Sequence, residues 1–252
     1  MKDGKRELSW DGCLNVRDLG GHPTIAGRET RYRRIVRADS VRQLTDAGWR
    51  ALVDYGIRTV VDLRGDHELR DDPPRELPVE VVHSPFMETN EEEWREIERE
   101  IDALRAAAPD FPTSTRDVYL VFLEHFRANA TASLRAVARA PEGGLVVHCV
   151  GGKDRTGLLC AFILHLAGVA IEDIAADYAL SEERLRPRHE MWLAEAESEA
   201  EREWIRRVSR TPAEAMAGVF SELERRYGGV RAFLRGGGAT EEDLELAAAR
   251  LG

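Results

Sequence analysis

The chain has 252 residues, a net charge of −10, 43% hydrophobic residues and 33% charged residues. That apolar content excludes a disordered chain, and the acidic balance argues against a general basic surface that wraps nucleic acid. Three cysteines are too few for a disulfide scaffold and fit a reducing compartment. No apolar run reaches the roughly 18 residues of a membrane span, and Met1 to Asn15 lacks a signal-peptide core, so a cytoplasmic protein is expected.

In chain order, Thr45 to Gly56 reads as a helix, with Thr45 as N-cap, Leu52 and Val53 on its apolar side and Gly56 past its end. Ile57 to Leu63 reads as a short buried strand, and Val79 to His83 as another after the Pro73-Pro74 breaker. Glu91 to Ala108 is highly charged, yet Trp94, Ile97, Ile101 and Leu104 recur at helical spacing. That stripe describes a surface helix with one packed edge; a lid over a site, spanning about 88–112 and ending at Pro109 and Pro112, is the alternative. Asp117 to Phe126 is apolar almost all round and predicts a buried helix; Thr131 to Ala140 is amphipathic and stops at Pro141.

The turn signal Glu142-Gly143-Gly144 precedes a third strand, Leu145 to His148, and Leu158 to Leu166 is an apolar helix closed by Gly168. The last third reads as helical. Glu182 to Arg207 is charged and anchored by Trp192 and Trp204, Gly236-Gly237-Gly238 is a flexible joint, and Thr240 caps Glu241 to Leu251. Strands alternating with helices predict an α/β fold, with a mostly parallel central sheet flanked by helices and one domain over 1–252.

The chemistry is concentrated at 145–157, Leu-Val-Val-His-Cys-Val-Gly-Gly-Lys-Asp-Arg-Thr-Gly. An apolar strand enters a glycine-containing loop that opens an apolar helix. Successive N–H groups in such a loop face one concavity at a helix N-terminus, and that concavity binds anions such as phosphate. Cys149 opens the loop and Arg155 closes it. A thiol under a helix dipole and near a fixed cation is set up to ionise, and a guanidinium grips two phosphate oxygens in one plane.

The string His148-Cys149 followed by Arg155-Thr156-Gly157 resembles the signature of the protein tyrosine phosphatase superfamily. Its Lys153-Asp154-Arg155-Thr156-Gly157 exit is similar to a bacterial branch acting on phosphotyrosine, sometimes phosphoserine or phosphothreonine, and phosphoinositides. Asn15-Val16-Arg17-Asp18-Leu19-Gly20-Gly21, Val61-Asp62-Leu63-Arg64 and the tail from Gly229 to Leu251 resemble the same branch. Rhodanese-like and arsenate-reducing loops also cup an anion beside a cysteine, but the His-Cys lead and Arg-Thr-Gly exit fit phosphatases better.

The resemblance implies a tyrosine-phosphatase-like fold and a Cys149 nucleophile that forms a phosphocysteine. Arg155 and the N–H groups of Val150, Gly151, Gly152 and Lys153 would hold the phosphate, in a loop closed by Gly157. Thr156 would donate to the Cys149 sulfur, and His148 would fix the loop by hydrogen bonding. No cofactor and no metal is implied, since Arg155 and the amides supply the positive charge. The partner would be a phosphorylated protein or a small phosphoester, with no nucleic acid. A non-catalytic phosphate-binding module is the competing class, though such modules usually lose the cysteine or the arginine.

The general acid stays open. Asp154 lies in the loop and ranks first. Asp62 ends a strand at the carboxyl edge, where it more readily orients Arg155 or another site residue, and Asp117 ranks third because a first-turn acid suits a helix N-terminus. Lys153, Arg64 and Arg17 are candidates for widening a cationic pocket toward a further phosphate; Arg17 and Arg64 read equally as paired buried arginines, and Lys153 as a solvated loop tip. Arg33, Arg34 and Arg37 read as surface or strand-end residues. Cys160 belongs to the core, and Cys13 reads as a free thiol near the site.

Overall fold

The computed structural model describes residues 6–71 and 79–252. Its strands are β1 (Arg17–Asp18), β2 (Ile35–Ala38), β3 (Ile57–Asp62), β4 (Glu80–His83) and β5 (Gly144–His148). The helices up to the loop are α1 (Asp46–Tyr55), α2 (Asp66–Asp71), α3 (Glu91–Ala107), α4 (Phe111–His125), α5 (Arg127–Arg139) and α6 (Arg155–Leu166). Beyond it come α7 (Ile171–Glu195), α8 (Glu199–Ser209), α9 (Ala213–Tyr227), α10 (Val230–Gly236) and α11 (Glu241–Leu251).

The sheet runs β1-β2-β5-β3-β4, parallel throughout except for the antiparallel edge strand β1. The pleat divides it between two cores. Val36, Val60 and Val146 face a layer holding Trp10, Trp49 and Leu52, while Ile35, Val61 and Val147 face a larger layer with α5, α6 and the C-terminal helices. β5 is buried along its whole length because strands lie on both sides and helices cover both faces. Its register places His148 between Ala38 and Asp62 at the carboxyl edge, so the loops after β2, β3 and β5 converge there.

α1 forms as expected, with Thr45 accepting from the Gly48 amide and Gly56 left-handed at φ 103. α3 packs Ile97 and Ile101 against Val118, Val121 and Phe126, which explains its narrow stripe. The helix expected from Asp117 begins earlier, at Phe111, because Asp110 caps it and Pro112 fits its first turn. The span Glu182 to Arg207 is broken between α7 and α8, where Ser198 starts a new cap, and Trp204 is 58% exposed rather than an anchor.

In the glycine run before α11, Gly236 and Gly237 have close neighbours, while Gly238 is left-handed at φ 99 with open space around it. A Cβ on Gly236 would lie 1.9 Å from Arg127 Nη2, and one on Gly237 would lie 2.2 Å from Thr131 Oγ1. Thr240 and Asp243 form the capping box of α11. β1 and β2 have no counterpart among the expected strands, since their few residues are too short to show a period. The Pro73-Pro74 breaker lies outside the described residues. Among the described residues, no helix is long and apolar enough to cross a membrane.

Candidate active site

Between β5 and α6, the loop from Cys149 to Asp154 has its carbonyls held from outside. The Cys149 carbonyl accepts from His148 Nδ1 at 3.0 Å and the Val150 carbonyl from the Ser40 amide at 2.9 Å. Asn15 Nδ2 donates to the carbonyls of Gly151 at 3.0 Å and Gly152 at 3.1 Å, and Arg37 Nη2 donates to Gly152 at 2.8 Å. A trans peptide sets its N–H opposite its carbonyl, and no cis bond is present among the described residues. The N–H groups of Val150, Gly151, Gly152 and Lys153 therefore face the inside of the loop. Gly152 is left-handed at φ 62, and a Cβ there would lie 2.2 Å from the Ala38 carbonyl oxygen, so only glycine lets the loop pass this close to β2.

Asp154 occupies the N-cap position of α6 yet makes no side-chain cap bond. The first N–H groups of α6 thus have no side-chain acceptor and join the loop amides as an anion cradle. Cys149 opens that cradle and is 3% exposed. Arg155 closes it and meets Glu68 of α2 end-on, Nη1 to Oε2 at 2.5 Å and Nη2 to Oε1 at 2.8 Å. Burial opposes the charge on Arg155, but the bonds to Glu68 outweigh it and hold the guanidinium above its ordinary range. Burial likewise pushes Glu68 up, and the bonds from Arg155 bring it below the usual carboxylate range. The end-on pairing leaves Nε–H and further Nη–H donors of Arg155 for an anion.

A cleft of about 760 Å³ opens beside Asp154 and Arg155. Met87, Trp94, Phe122 and Phe126 form its apolar wall, and His67 and Arg70 of α2 line the polar side. Asp154 Oδ1 accepts from the Tyr119 hydroxyl at 2.5 Å and lies 3.4 Å from Lys153 Nζ, and Tyr119 meets the Tyr178 hydroxyl at 2.7 Å.

The other expected residues divide. His148 is fully buried, and burial lowers its pKa, so it serves as a neutral donor to the loop; its Nε2 lies 3.6 Å from Asp62 without a hydrogen bond. Asp62 does not reach Arg155. It accepts from the Arg64 amide at 3.0 Å and from Arg64 Nη2 at 2.8 Å; burial pushes it up, and the bonds from Arg64 hold it below its usual range. Arg64 is thereby buried against the strand end rather than turned into a pocket. Arg17 is likewise buried against Asp177 at 3.0 Å. Arg37, expected as a surface or strand-end residue, lies near the end of β2 but is not at the surface: it is 1% exposed and pairs with Asp177 at 2.9 Å, because its strand lies against β5 and its guanidinium is needed at Gly152.

Lys153 is no solvated tip: its ammonium donates to the Val208 carbonyl of α8. Asp117 sits inside α4 rather than in its first turn, pairs with Arg116 at 2.8 Å and lines neither cavity beside the loop. The Thr156 hydroxyl is buried with no hydrogen-bond partner among the described residues, so its expected bond to Cys149 is not formed. Gly157 packs beneath Tyr178, where a Cβ would sit 3.2 Å from the ring. Cys160 is buried in the core, which pushes its thiol up to about 12, and the Cys13 thiol is free and donates to the Ser40 carbonyl.

Glu68, Tyr119, Tyr178 and Asp177 were not singled out from the sequence. Two of them carry a signal. Tyr119 is the polar-tipped ring in the apolar run Val118 to Leu123 of α4, and a buried phenol needs a partner. Asp177 falls on the buried face of α7 with Ile174, Tyr178 and Ser181.

The sequence profile described as "Tyrosine phosphatase family" matches residues 8–251. A tyrosine-protein phosphatase of Nostoc commune is 27% identical over 227 residues, covering 86% of this chain and 74% of that protein. The triple specificity protein phosphatase PtpB of Mycobacterium tuberculosis is 27% identical over 272 residues, covering 94% of this chain and 95% of that protein.

Proposed function

Because the chain belongs to the tyrosine phosphatase family, we propose that this phosphatase hydrolyses aryl phosphates of phosphotyrosine type through a phosphate carried on Cys149. The observation that carries the reading is the loop itself, whose carbonyls are held from outside so that its amides turn inward between Cys149 and Arg155. In the first step the Cys149 sulfur bonds to phosphorus as the bond to the leaving oxygen breaks, and the Asp154 carboxyl gives that oxygen its proton. Arg155 and the amides carry the charge on the remaining phosphate oxygens. In the second step water attacks phosphorus, Asp154 takes its proton, and the sulfur leaves. Thr156, with no other partner for its buried hydroxyl among the described residues, is assigned to the departing sulfur.

The aryl preference rests on the apolar wall of Met87, Trp94, Phe122 and Phe126 beside Arg155. Lys153, Arg17 and Arg64, the cations considered for a further phosphate, are engaged by Val208, Asp177 and Asp62. That favours a singly phosphorylated ring over a polyphosphorylated inositol.

Cys149→Ser tests the reading with p-nitrophenyl phosphate. Turnover is expected to disappear while inorganic phosphate still binds, because a serine hydroxyl stays protonated. Activity within about tenfold of the native enzyme overturns the covalent route. Faster turnover of inositol phosphates than of a phosphotyrosine peptide overturns the aryl assignment.

A further inference from the structure

Asp154 ends the catalytic loop at a position where an aspartate ordinarily caps the helix that follows. Its carboxylate instead meets a buried phenol. The Tyr119 hydroxyl donates to Oδ1 at 2.5 Å, and the Tyr178 hydroxyl lies 2.7 Å from that of Tyr119. Since Tyr119 spends its only proton on Asp154, Tyr178 must donate to Tyr119, giving one directed chain from α7 through α4 to the loop. Both rings are nearly fully buried and meet edge to face at 6.0 Å, so the chain is held by packing before any substrate arrives.

We propose that Tyr119 is a positioning residue for Asp154: it occupies Oδ1 so that the proton rides on Oδ2, the oxygen left to face the leaving group. This rests on Asp154 being the general acid. The proton then passes from Oδ2 to the leaving oxygen as the phosphorus–oxygen bond breaks, and it returns to Oδ2 from the attacking water in the second step. Tyr119 gives up no proton in either step. Burial, followed by the charge of Asp154 and the neighbouring Tyr178, pushes its phenol well above the ordinary range, so it stays a donor throughout.

Other charges also face Asp154. On its own loop they are Lys153, 3.4 Å from Oδ1, and Arg155. His67, Glu68 and Arg70 of α2, with Glu88 and Glu91, line the cleft on one side. Arg105 of α3, with Arg207 and Arg210 at the end of α8, lines the smaller cavity on the other. All of them stay in place when only a hydroxyl of Tyr119 or Tyr178 is removed, so a change in the pH profile reports the phenol chain.

Tyr119→Phe keeps the ring and deletes the donor. With phosphoserine or an alkyl phosphate, which needs a protonated leaving group, kcat is expected to fall about tenfold. With p-nitrophenyl phosphate it is expected to change less than about threefold. A donated hydrogen bond favours the ionised carboxylate, so its loss moves the alkaline limb of kcat upward, by about half a pH unit or more. Tyr178→Phe moves the limb the same way by less, and it decides the matter should Tyr119→Phe fold poorly. Equal slowing of both substrates with an unmoved limb overturns the positioning role and leaves Tyr119 a packing residue.

Asp154→Asn, measured in parallel, separates the two readings. If it removes the alkaline limb and slows the alkyl phosphate selectively while Tyr119→Phe and Tyr178→Phe do neither, the phenol proposal alone falls. If Asp154→Asn itself does neither, the acid assignment falls and the phenol proposal falls with it.

Discussion

Behind the Cys149–Asp154 loop, Arg17 and Arg37 converge on Asp177; in front of it, Arg155 meets Glu68. The residue types are the same, but their surroundings differ. The rear side chains are each 1% exposed, and the arginines bond to Asn15, to Ser181, to the Gly152 carbonyl and to Asp177. The front pair is 17% and 18% exposed and lines the cleft. Burial alone would push Asp177 up; the two arginines outweigh it and hold the carboxylate far below its usual range. The rear cluster thus spends its charge aiming the loop carbonyls outward, which turns the amides inward. The front arginine keeps donors free for an anion. Where an arginine stands relative to the loop, rather than its charge, decides whether it builds the cradle or fills it.

Breaking the rear cluster should have the largest effect. Asp177→Ala leaves two buried guanidinium groups without a counter-charge, and the expected loss is about 3–5 kcal/mol of stability, read from chemical denaturation. A loss below about 1 kcal/mol, the scale of an exposed pair, contradicts the account of this cluster. Substitution at the front should separate rate from stability. Arg155→Lys keeps the charge but cannot hold two oxygens in one plane, and turnover should fall by about 10²-fold or more. Its denaturation midpoint should move far less than that of Asp177→Ala. Normal turnover by Arg155→Lys means the phosphate cradle has been placed wrongly.

The same contrast explains what the sequence makes legible. The loop is readable because its chemistry is local: Cys149, the glycines and Arg155 lie within one strand–loop–helix passage. Thr45 and Thr240 announce their helices for the same reason, since a cap and its helix are adjacent. Glu68 and Tyr119 are brought to the loop by the sheet order and by α4, from far along the chain, and no spacing records that. Arg37 does lie near a strand end, but its burial is not legible because nothing near it in sequence names Asp177 as its partner. Asp62 and Asp117 show the converse. Each has a position suited to an acid, and each is occupied by an adjacent arginine in the fold.

The central claim is that phosphate is carried on Cys149. Rapid quenching of the native enzyme during turnover of radiolabelled aryl phosphate, followed by peptide mapping, tests it directly. The account predicts label on the peptide containing Cys149, appearing with a burst of the phenol product and absent in Cys149→Ser. Label on another residue, or steady turnover by Cys149→Ser with no labelled protein, would contradict it.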